Sequence, residues 1–571
     1  MKRLRFRPIT AESLDELRQY SARCDSRVSD YSLANLYGWQ PYFNTCYATH
    51  DGIVAIRYTS PQGIGYMRPL TSETTDCESV MTLIEQLRSE AFASGSGFTI
   101  YGLREEEAQQ LQQQHPHMDI TPMRDSGGYL YLRERLASLA GRKLQAKRNH
   151  INKFRSLYPD YEYRPLDASL TAACYAFARR WAEKHVQQFP DQMSSAVAEL
   201  NAMRRCFANW ENMPLIGGTL WVEGQMVAFT YGCPISTDTI DVCIEKADIA
   251  YEGAYTVINQ LFAQHLPEQY TYLNREEDLG VEGLRKAKLS YHPEDILVRY
   301  LCSESCPRLS DEREQMHTLW QQTFADPEPF ADLYFSKVYT PNNSICGTAD
   351  GRITAALQLL PYTLKLRSAC TPAAYISGTM VAADHRGHGI GRQLMQAAHI
   401  KAYSEGCTFV MLIASSEKTS QWYRQMGYAD KALCHAAPED IEKTTFDEFD
   451  RWQNAQQFLL LHNATDYAIA LEDIRRLGTS SYRDTLPAML RIVNAYEALH
   501  LFATEHPAIT DTITITGDDD LPANNATYSI ARGEVHQIIE PTAESHTLHI
   551  SQLPAYLLQD NDISMMLMLE R

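Results

Sequence analysis

The chain has 571 residues, 44% of them hydrophobic and 22% charged, with a formal net charge of −19. This excludes disordered, fibrous and collagen-like classes, and the length exceeds what one hydrophobic core can serve, so about three to five domains are expected. The acidic balance argues against nucleic acid as a general partner and favours cationic small molecules. The charge is unevenly spread. Residues 301–571 hold 20 basic and 34 acidic side chains (−14), which leaves 32 and 37 (−5) for the first 300. A tRNA partner would therefore belong to the first half and a cationic substrate to the second.

Thirteen cysteines, an odd number without a CxxC pair, make neither a disulfide framework nor a zinc ribbon. Cys302 and Cys306 lack the further ligands a metal would need. The opening MKRLRFRPIT is basic without an apolar h-region, and no run reaches 18 apolar residues, so a cytoplasmic chain with no membrane span is expected.

In the first half, strands interleave with helices. Residues 220–231 (LWVEGQMVAFTY) read as strand, glycine turn, strand. Ala254–His265 has helical spacing, and residues 270–274 read as a short strand. Residues 141–155 carry six positive charges, Arg142, Lys143, Lys147, Arg148, Lys153 and Arg155, around an apolar stripe of Leu144, Ile151 and Phe154. Such a helix fits either phosphate or RNA binding, or a solvated face. Asn274, Arg275, Glu276, Arg285 and Lys288 fit either a polar pocket or a salt-bridged turn.

Four stretches occur together here: SLANLYGW from Ser32, DSGGYLYL from Asp125, GRKLQAKRNHINKF from Gly141, and NREEDLG from Asn274 with LRKAK from Leu284. Together they resemble the soluble C-terminal domain of the phosphatidylglycerol lysyltransferases. The resemblance implies two tandem acetyltransferase-like folds, here 1–140 and 141–303, related to aminoacyl-tRNA-dependent ligases. It implies a transferase site among Lys147, Arg148, Asn274, Arg275, Glu276, Arg285 and Lys288. The lipid acceptor of that family does not carry over, because no membrane part accompanies these motifs.

A polar seam at 302–314 divides the chain. After it, 375–381 reads as a strand that breaks at Asp384-His385-Arg386-Gly387-His388-Gly389-Ile390-Gly391. A helix then begins, with Ile390, Leu394 and Ala398 on one face, followed by a buried strand at 409–414 and a helix ending at Gly427. A glycine-rich turn opening a helix gathers backbone N–H groups and about half a positive charge, and so suits a pyrophosphate. It is neither a P-loop nor a dinucleotide fingerprint, since no Gly-Lys-Ser/Thr follows and position 392 is Arg.

Arg386-x-x-Gly389-x-Gly391 followed by Tyr423-x-x-x-Gly427-Tyr428 resembles the GNAT N-acetyltransferases. The resemblance implies a GNAT core at 304–435 that transfers an acetyl group from acetyl-CoA to an amine. Met380 and Val381 would pair with pantetheine through their backbone. Arg386, Gly387, His388, Gly389, Ile390, Gly391 and Arg392 would hold the pyrophosphate, and Tyr423 would protonate the departing thiolate. Asp384 and Glu417 are read as surface or capping residues that could serve as a base through water.

Beyond a connecting segment at 436–487, with a turn-rich seam at 477–486, a helical run at 488–502 is expected. A hairpin around 531–533 then follows within 527–539. MLRIV at 489–493 and LPANNATYSIARGEV from Leu521 resemble the tail of the Eis-type acetyltransferases, implying a sterol-carrier-protein-like α+β domain at 488–571. In that family the terminal carboxylate is the base, a role that would fall on Arg571.

The fold class expected overall is α+β or mixed α/β, with tandem GNAT folds and that tail. The function expected is N-acetylation of a small cationic amine by the second half. Two alternatives remain: aminoacyl-tRNA-dependent transfer by the first half, and a non-enzymatic CoA- or lipid-binding protein. Assembly into a homo-oligomer is compatible with each.

Overall fold

A computed structural model describes residues 4–21, 26–60, 63–71, 77–189, 192–435, 441–478, 487–542 and 544–570. Arg571 and most of the 477–486 seam lie outside them. The chain forms two compact units. One comprises residues up to Tyr58, Gly65–Gln86 and Thr99–Glu304; the other comprises Thr59–Ile64, Leu87–Phe98 and the chain from Ser305.

In the first unit the strands order as two blocks of six among the described residues. One block runs Arg7–Pro8, Cys46–His50, Ile53–Ser60, Gly63–Leu70, Phe98–Leu103 and then the late strand Asp295–Glu304. The other runs Asp119–Leu132, Tyr272–Asn274, Thr239–Ala247, Gln225–Pro234, Ile216–Val222 and Glu162–Pro165. Each block holds one parallel pair, Gly63–Leu70 with Phe98–Leu103 and Thr239–Ala247 with Tyr272–Asn274. Each parallel pair needs a helical crossover, supplied by Cys77–Ala93 in one block and Ala254–His265 in the other. The turn at Glu223–Gly224 has positive φ at both residues, which fits the twist of a tight hairpin.

The second unit repeats this plan. The hairpin of Arg352–Leu366 and Ala369–Val381 leads through helix Ile390–Ser404 to the parallel strand Phe409–Ile413. Pairing then continues through Pro487–Ile492, Ala429–His435, Ile563–Met566 and Phe458–Leu461, and returns to the far end of Arg352–Leu366. The result is a closed ring of seven strands with Ser344–Ala349 on its outer edge.

This corrects two readings. The expected helix from 488 begins as a strand, because Pro487–Ile492 hydrogen-bonds to Phe409–Ile413 on one side and Ala429–His435 on the other. The helix starts only at Ala495, where the Asn494 side chain accepts from the Glu497 N–H. Nor do 436–487 and 488–571 stand apart from the acetyltransferase sheet, since they supply three of its strands. The rest of the tail is a four-stranded sheet, Glu534–Ile538, Thr527–Ala531, Asp511–Thr516 and His546–His549, with helices Ala495–Glu505 and Leu553–Leu558. Its hairpin turns at Arg532–Gly533, both with positive φ.

A buried ionic network joins these parts. Arg491, 2% exposed along its side chain, donates to Asp518 at 2.6 Å, and Asp518 also accepts from Asn524 at 2.8 Å. Asp520 lies 2.7 Å from His399 Nδ1 and 2.6 Å from Arg392. His399 Nε2 accepts from the Tyr428 hydroxyl at 2.9 Å. Burial, followed by the Arg491 charge, holds the His399 pKa down to about 4. The folded state therefore refuses a proton that the unfolded chain takes near pH 6.5, so stability falls as pH drops from 6.5 towards 4. Chemical denaturation should show a loss of up to about 3 kcal/mol across that window that is absent in His399→Gln. Asp518→Asn, which strands a buried guanidinium, should cost about 3–5 kcal/mol at pH 7 by the same measurement.

Candidate functional site

Pairing between Ala369–Val381 and Phe409–Ile413 stops at Ile376 and Leu412. Beyond that point the two strands diverge, and among the described residues the outward edge of residues 377–381 lacks a strand partner. The register to Arg352–Leu366 shifts at the same place, between Ala356 and Gln358. Gly378 forms the bulge, with φ +64 and the Trp320 ring packed where a Cβ would stand. Only glycine satisfies both constraints.

The gap opens into a cavity of about 1020 Å³. One end is basic: the loop supplies His385, Arg386, Gly387, Gly389, Ile390, Gly391 and Arg392. Gly387 and Gly389 both have positive φ, and a Cβ at either would meet nothing within 4 Å, so both glycines serve the turn. Among the described residues no acceptor takes the backbone N–H groups of Gly387 through Gly391. Of these residues Gly387, Gly389, Ile390 and Gly391 line the cavity, at the N-terminus of the 15-residue helix Ile390–Ser404. Arg386 is steadied by a 2.9 Å bond from its Nε to the Val381 carbonyl, and Arg392 by Asp520.

The other end is aromatic and acidic, lined by Trp320, Phe324, Asp326 and Glu570. The Trp320 indole N–H donates to Asp326 at 2.8 Å. Between the two ends stand Val381, Thr379 and Tyr423. Tyr423 projects from helix Glu417–Arg424, whose Ser416 side chain accepts from the Thr419 N–H. It is 6% exposed, and burial pushes its phenol pKa upward, so it holds its proton at neutral pH.

Several sequence-read residues lie elsewhere. The Met380 side chain is buried in the core beside Trp320 and Ala356, so only its backbone is near the cavity. His388 is exposed and does not line it. Asp384 pairs with His385 and Arg352, and Glu417 with Arg424, which pull both carboxyls below the usual carboxylate range and away from the cavity. Sequence reasoning missed Trp320, Asp326, Gly378, Thr379 and Glu570. Of these only Gly378, a glycine inside a strand, carried a local signal.

In the first unit the residues from 274 to 288 divide into two groups. Arg285 clamps Asp278 at 2.8 Å and Asp125 at 2.6 Å, and Asp278 also accepts from Tyr129. That is a structural ion-pair turn. The other group gathers where Thr239–Ala247 and Tyr272–Asn274 diverge. Asn35 bridges Asp241 and Glu276 at 3.1 Å each, Ser32 donates to Asp241 at 2.8 Å, and Lys288 donates to the Arg275 carbonyl. Arg275 pairs with Glu245 at 2.8 Å.

Lys147 leaves the basic helix face and stands 3.9 Å over the Tyr291 ring; burial, then Arg275, lowers its pKa to about 8. Arg148 donates to the Gly141 carbonyl at 2.8 Å, and Lys153 pairs with Glu252 at 2.6 Å. The stripe Leu144, Ile151 and Phe154 is buried. Among the described residues, no group of His, Cys, Asp and Glu is arranged to hold a metal ion.

Two family models match the chain. Phosphatidylglycerol lysyltransferase, C-terminal, covers residues 21–303, and Acetyltransferase (GNAT) domain covers residues 308–430. Residues 21–303 thus resemble the former family and residues 308–430 the latter. Both are acyltransferase domains. An uncharacterized protein of Mycoplasmoides gallisepticum is 26% identical over 185 residues, 32% of this chain; the chain spans 57% of that relative's length.

A conserved protein of unknown function from Bacteroides thetaiotaomicron is 37% identical, covering 52% of this chain and 99% of its own, with a TM-score of 0.49. Eis1 from Mycobacterium abscessus is 12% identical, covering 45% of this chain and 89% of its own, with a TM-score of 0.36. No helix among the described residues is long and apolar enough to cross a membrane.

In this acetyltransferase domain the cavity depends on the Gly378 bulge. Gly378→Ala, forced into positive φ against Trp320, should lower unfolding stability by about 2 kcal/mol in urea titration.

Proposed function

We propose that the second unit acetylates a primary amine on a small cationic molecule, with acetyl-CoA as donor. The observation that carries this reading is the polarity of one continuous cavity, basic at the glycine loop and acidic and aromatic at the far end. A diphosphate suits the unpartnered N–H groups at the helix start together with Arg386 and Arg392. An ammonium suits Asp326, Glu570 and the faces of Trp320 and Phe324. The divergent edge of residues 377–381 offers backbone groups to an extended pantetheine arm. Acetyl-CoA, when bound, supplies the activated acyl group. Tyr423, uncharged and inside the cavity, holds a proton for the departing sulfur.

Calorimetric titration of acetyl-CoA into the full chain tests the cofactor assignment. Wild type should bind, and Arg386→Glu, which puts a carboxylate where the diphosphate would sit, should weaken affinity at least tenfold; equal affinity removes the loop from the site. Tyr423→Phe should lower kcat about 100-fold while acetyl-CoA affinity stays within threefold. Equal turnover would end the general-acid role.

A second reading concerns the first unit. The Asp241–Asn35–Glu276 cluster occupies, in its own fold, the strand divergence that forms the cavity in the second. Aminoacyl transfer from a charged tRNA is the reaction this supports. RNA that copurifies with the full chain and dissociates steeply as salt rises would favour it; a nucleic-acid-free preparation with no salt-sensitive tRNA binding would count against it.

A further inference from the structure

The glycine loop follows directly on the strand Ala369–Val381, and this gives the cavity a direction. A pantetheine arm that starts at the loop and lies along residues 377–381 runs backwards in sequence, from Val381 towards Gly378. Its thioester end then arrives where the two strands rejoin, since Ile376 still pairs with Leu412. An acyl group on the sulfur lies at that closed end. The lining residues there are Ile376, Gly378, Ile413 and Trp320.

Of these four, Trp320 alone comes from outside the sheet. It stands on helix Glu312–Phe324 and is 3% exposed. Its six-membered ring lies on Gly378, where the Cζ3, Cε3 and Cη2 atoms fill the space a side chain would take. The other edge of the indole carries the N–H, which donates to Asp326 at 2.8 Å. Tyr334, Phe324 and Phe335 pack around the same indole, with ring centroids at 4.6, 5.0 and 5.7 Å. A ring packed by three others and tied at its N–H has no room to swing aside. It forms a fixed wall between the donor strand and the acidic end of the cavity. Such a wall sorts acyl groups by size, because added methylenes must be forced against close-packed atoms.

We propose that Trp320 sets the acyl specificity of this domain: its six-membered ring closes the cavity beyond the thioester, so that acetyl is accepted and butyryl and longer chains are excluded. This rests on the acetyl-CoA reading above. The methyl of acetyl stops short of the ring, whereas a butyryl or hexanoyl chain runs into it. The way round the ring leads to the Asp326–Glu570 end, and carboxylates are poor partners for an alkyl chain.

The test is calorimetric titration of coenzyme A, acetyl-CoA, butyryl-CoA and hexanoyl-CoA into the full chain, which needs no acceptor. Wild type should bind acetyl-CoA at least about tenfold more tightly than hexanoyl-CoA, with butyryl-CoA between them. W320L, which removes the six-membered ring, should narrow that gap at least about fivefold, and W320F by less. Each affinity comes from the shape of its isotherm, so a partly folded variant changes the stoichiometry and not the ratio. A wild type that binds all three thioesters equally overturns the proposal and leaves the cofactor reading intact, as does a folded W320L with the wild-type gap. A wild type that binds neither coenzyme A nor any thioester overturns the cofactor reading and this proposal with it. A crystal structure of wild type with acetyl-CoA decides the matter even if neither variant folds. The acetyl methyl should point at the six-membered ring of Trp320, and a methyl directed away from it would overturn the assignment.

Discussion

Two parallel strands part after Ile376 and Leu412, and the second unit is organised around that separation. Parallel strands in a sheet ordinarily satisfy each other's backbone groups, and exposing those groups inside a protein is costly unless something else pairs with them. Here the parting is enforced. The Gly378 bulge turns the strand, the Trp320 ring fills the space behind it, and the loop from Ala382 to Gly389 starts the next helix directly at the mouth of the gap. A slot whose N–H groups take no acceptor among the described residues, with a helix N-terminus at one end, is a feature that an extended, anionic, amide-bearing cofactor can complete.

The same plan appears three times in the chain, but the chemistry installed at the divergence differs. In the second unit the loop is glycine-rich and open. In the first unit the corresponding divergence at Asp241 and Asn274 is filled by carboxylates, an asparagine and Lys288, and the helix that follows begins after Gly253 without an Arg-x-x-Gly-x-Gly loop. Burial raises the Asp241 pKa to about 8 and lowers that of Lys288 to about 8, so these groups share protons more readily than isolated side chains would. One architecture thus presents a glycine-rich loop at a helix start in one place and a buried cluster of carboxylates, Asn35 and Lys288 in another, which is why fold alone does not assign function.

Much of the loop was legible because its chemistry is local. Glycines at 387 and 389, the turn after a strand, and the Leu394–Ala398 face are fixed by neighbours in sequence, and the structure places them as the spacing requires. The hairpins at 223–224 and 532–533 and the helix Ala254–His265 were readable for the same reason. The 488–492 stretch was not, since MLRI serves a strand or a buried helix equally until its partners on both sides are known. Lys147 read as part of a basic face, yet its aromatic partner Tyr291 lies far along the chain. Asp326 and Glu570 had no sequence signal at all. Glu570 reaches the cavity only because a tail strand enters a ring that closes in three dimensions, and no local pattern encodes that closure.

Asp520 shows how the tail and the glycine-rich loop depend on each other. A carboxylate from the segment before the tail's hairpin holds both Arg392, at the loop, and His399, about two turns further along the same helix. The tail therefore bears on both ends of the cavity, through Asp520 at the basic end and Glu570 at the acidic end. The most direct test of this account is a crystal structure of the full chain with coenzyme A. The account predicts the diphosphate against the backbone N–H groups of Gly387 to Gly391, the pantetheine along residues 377–381, and the thiol within hydrogen-bond reach of Tyr423. Coenzyme A bound away from this cavity, or in it with the diphosphate at the Asp326–Glu570 end, would contradict it.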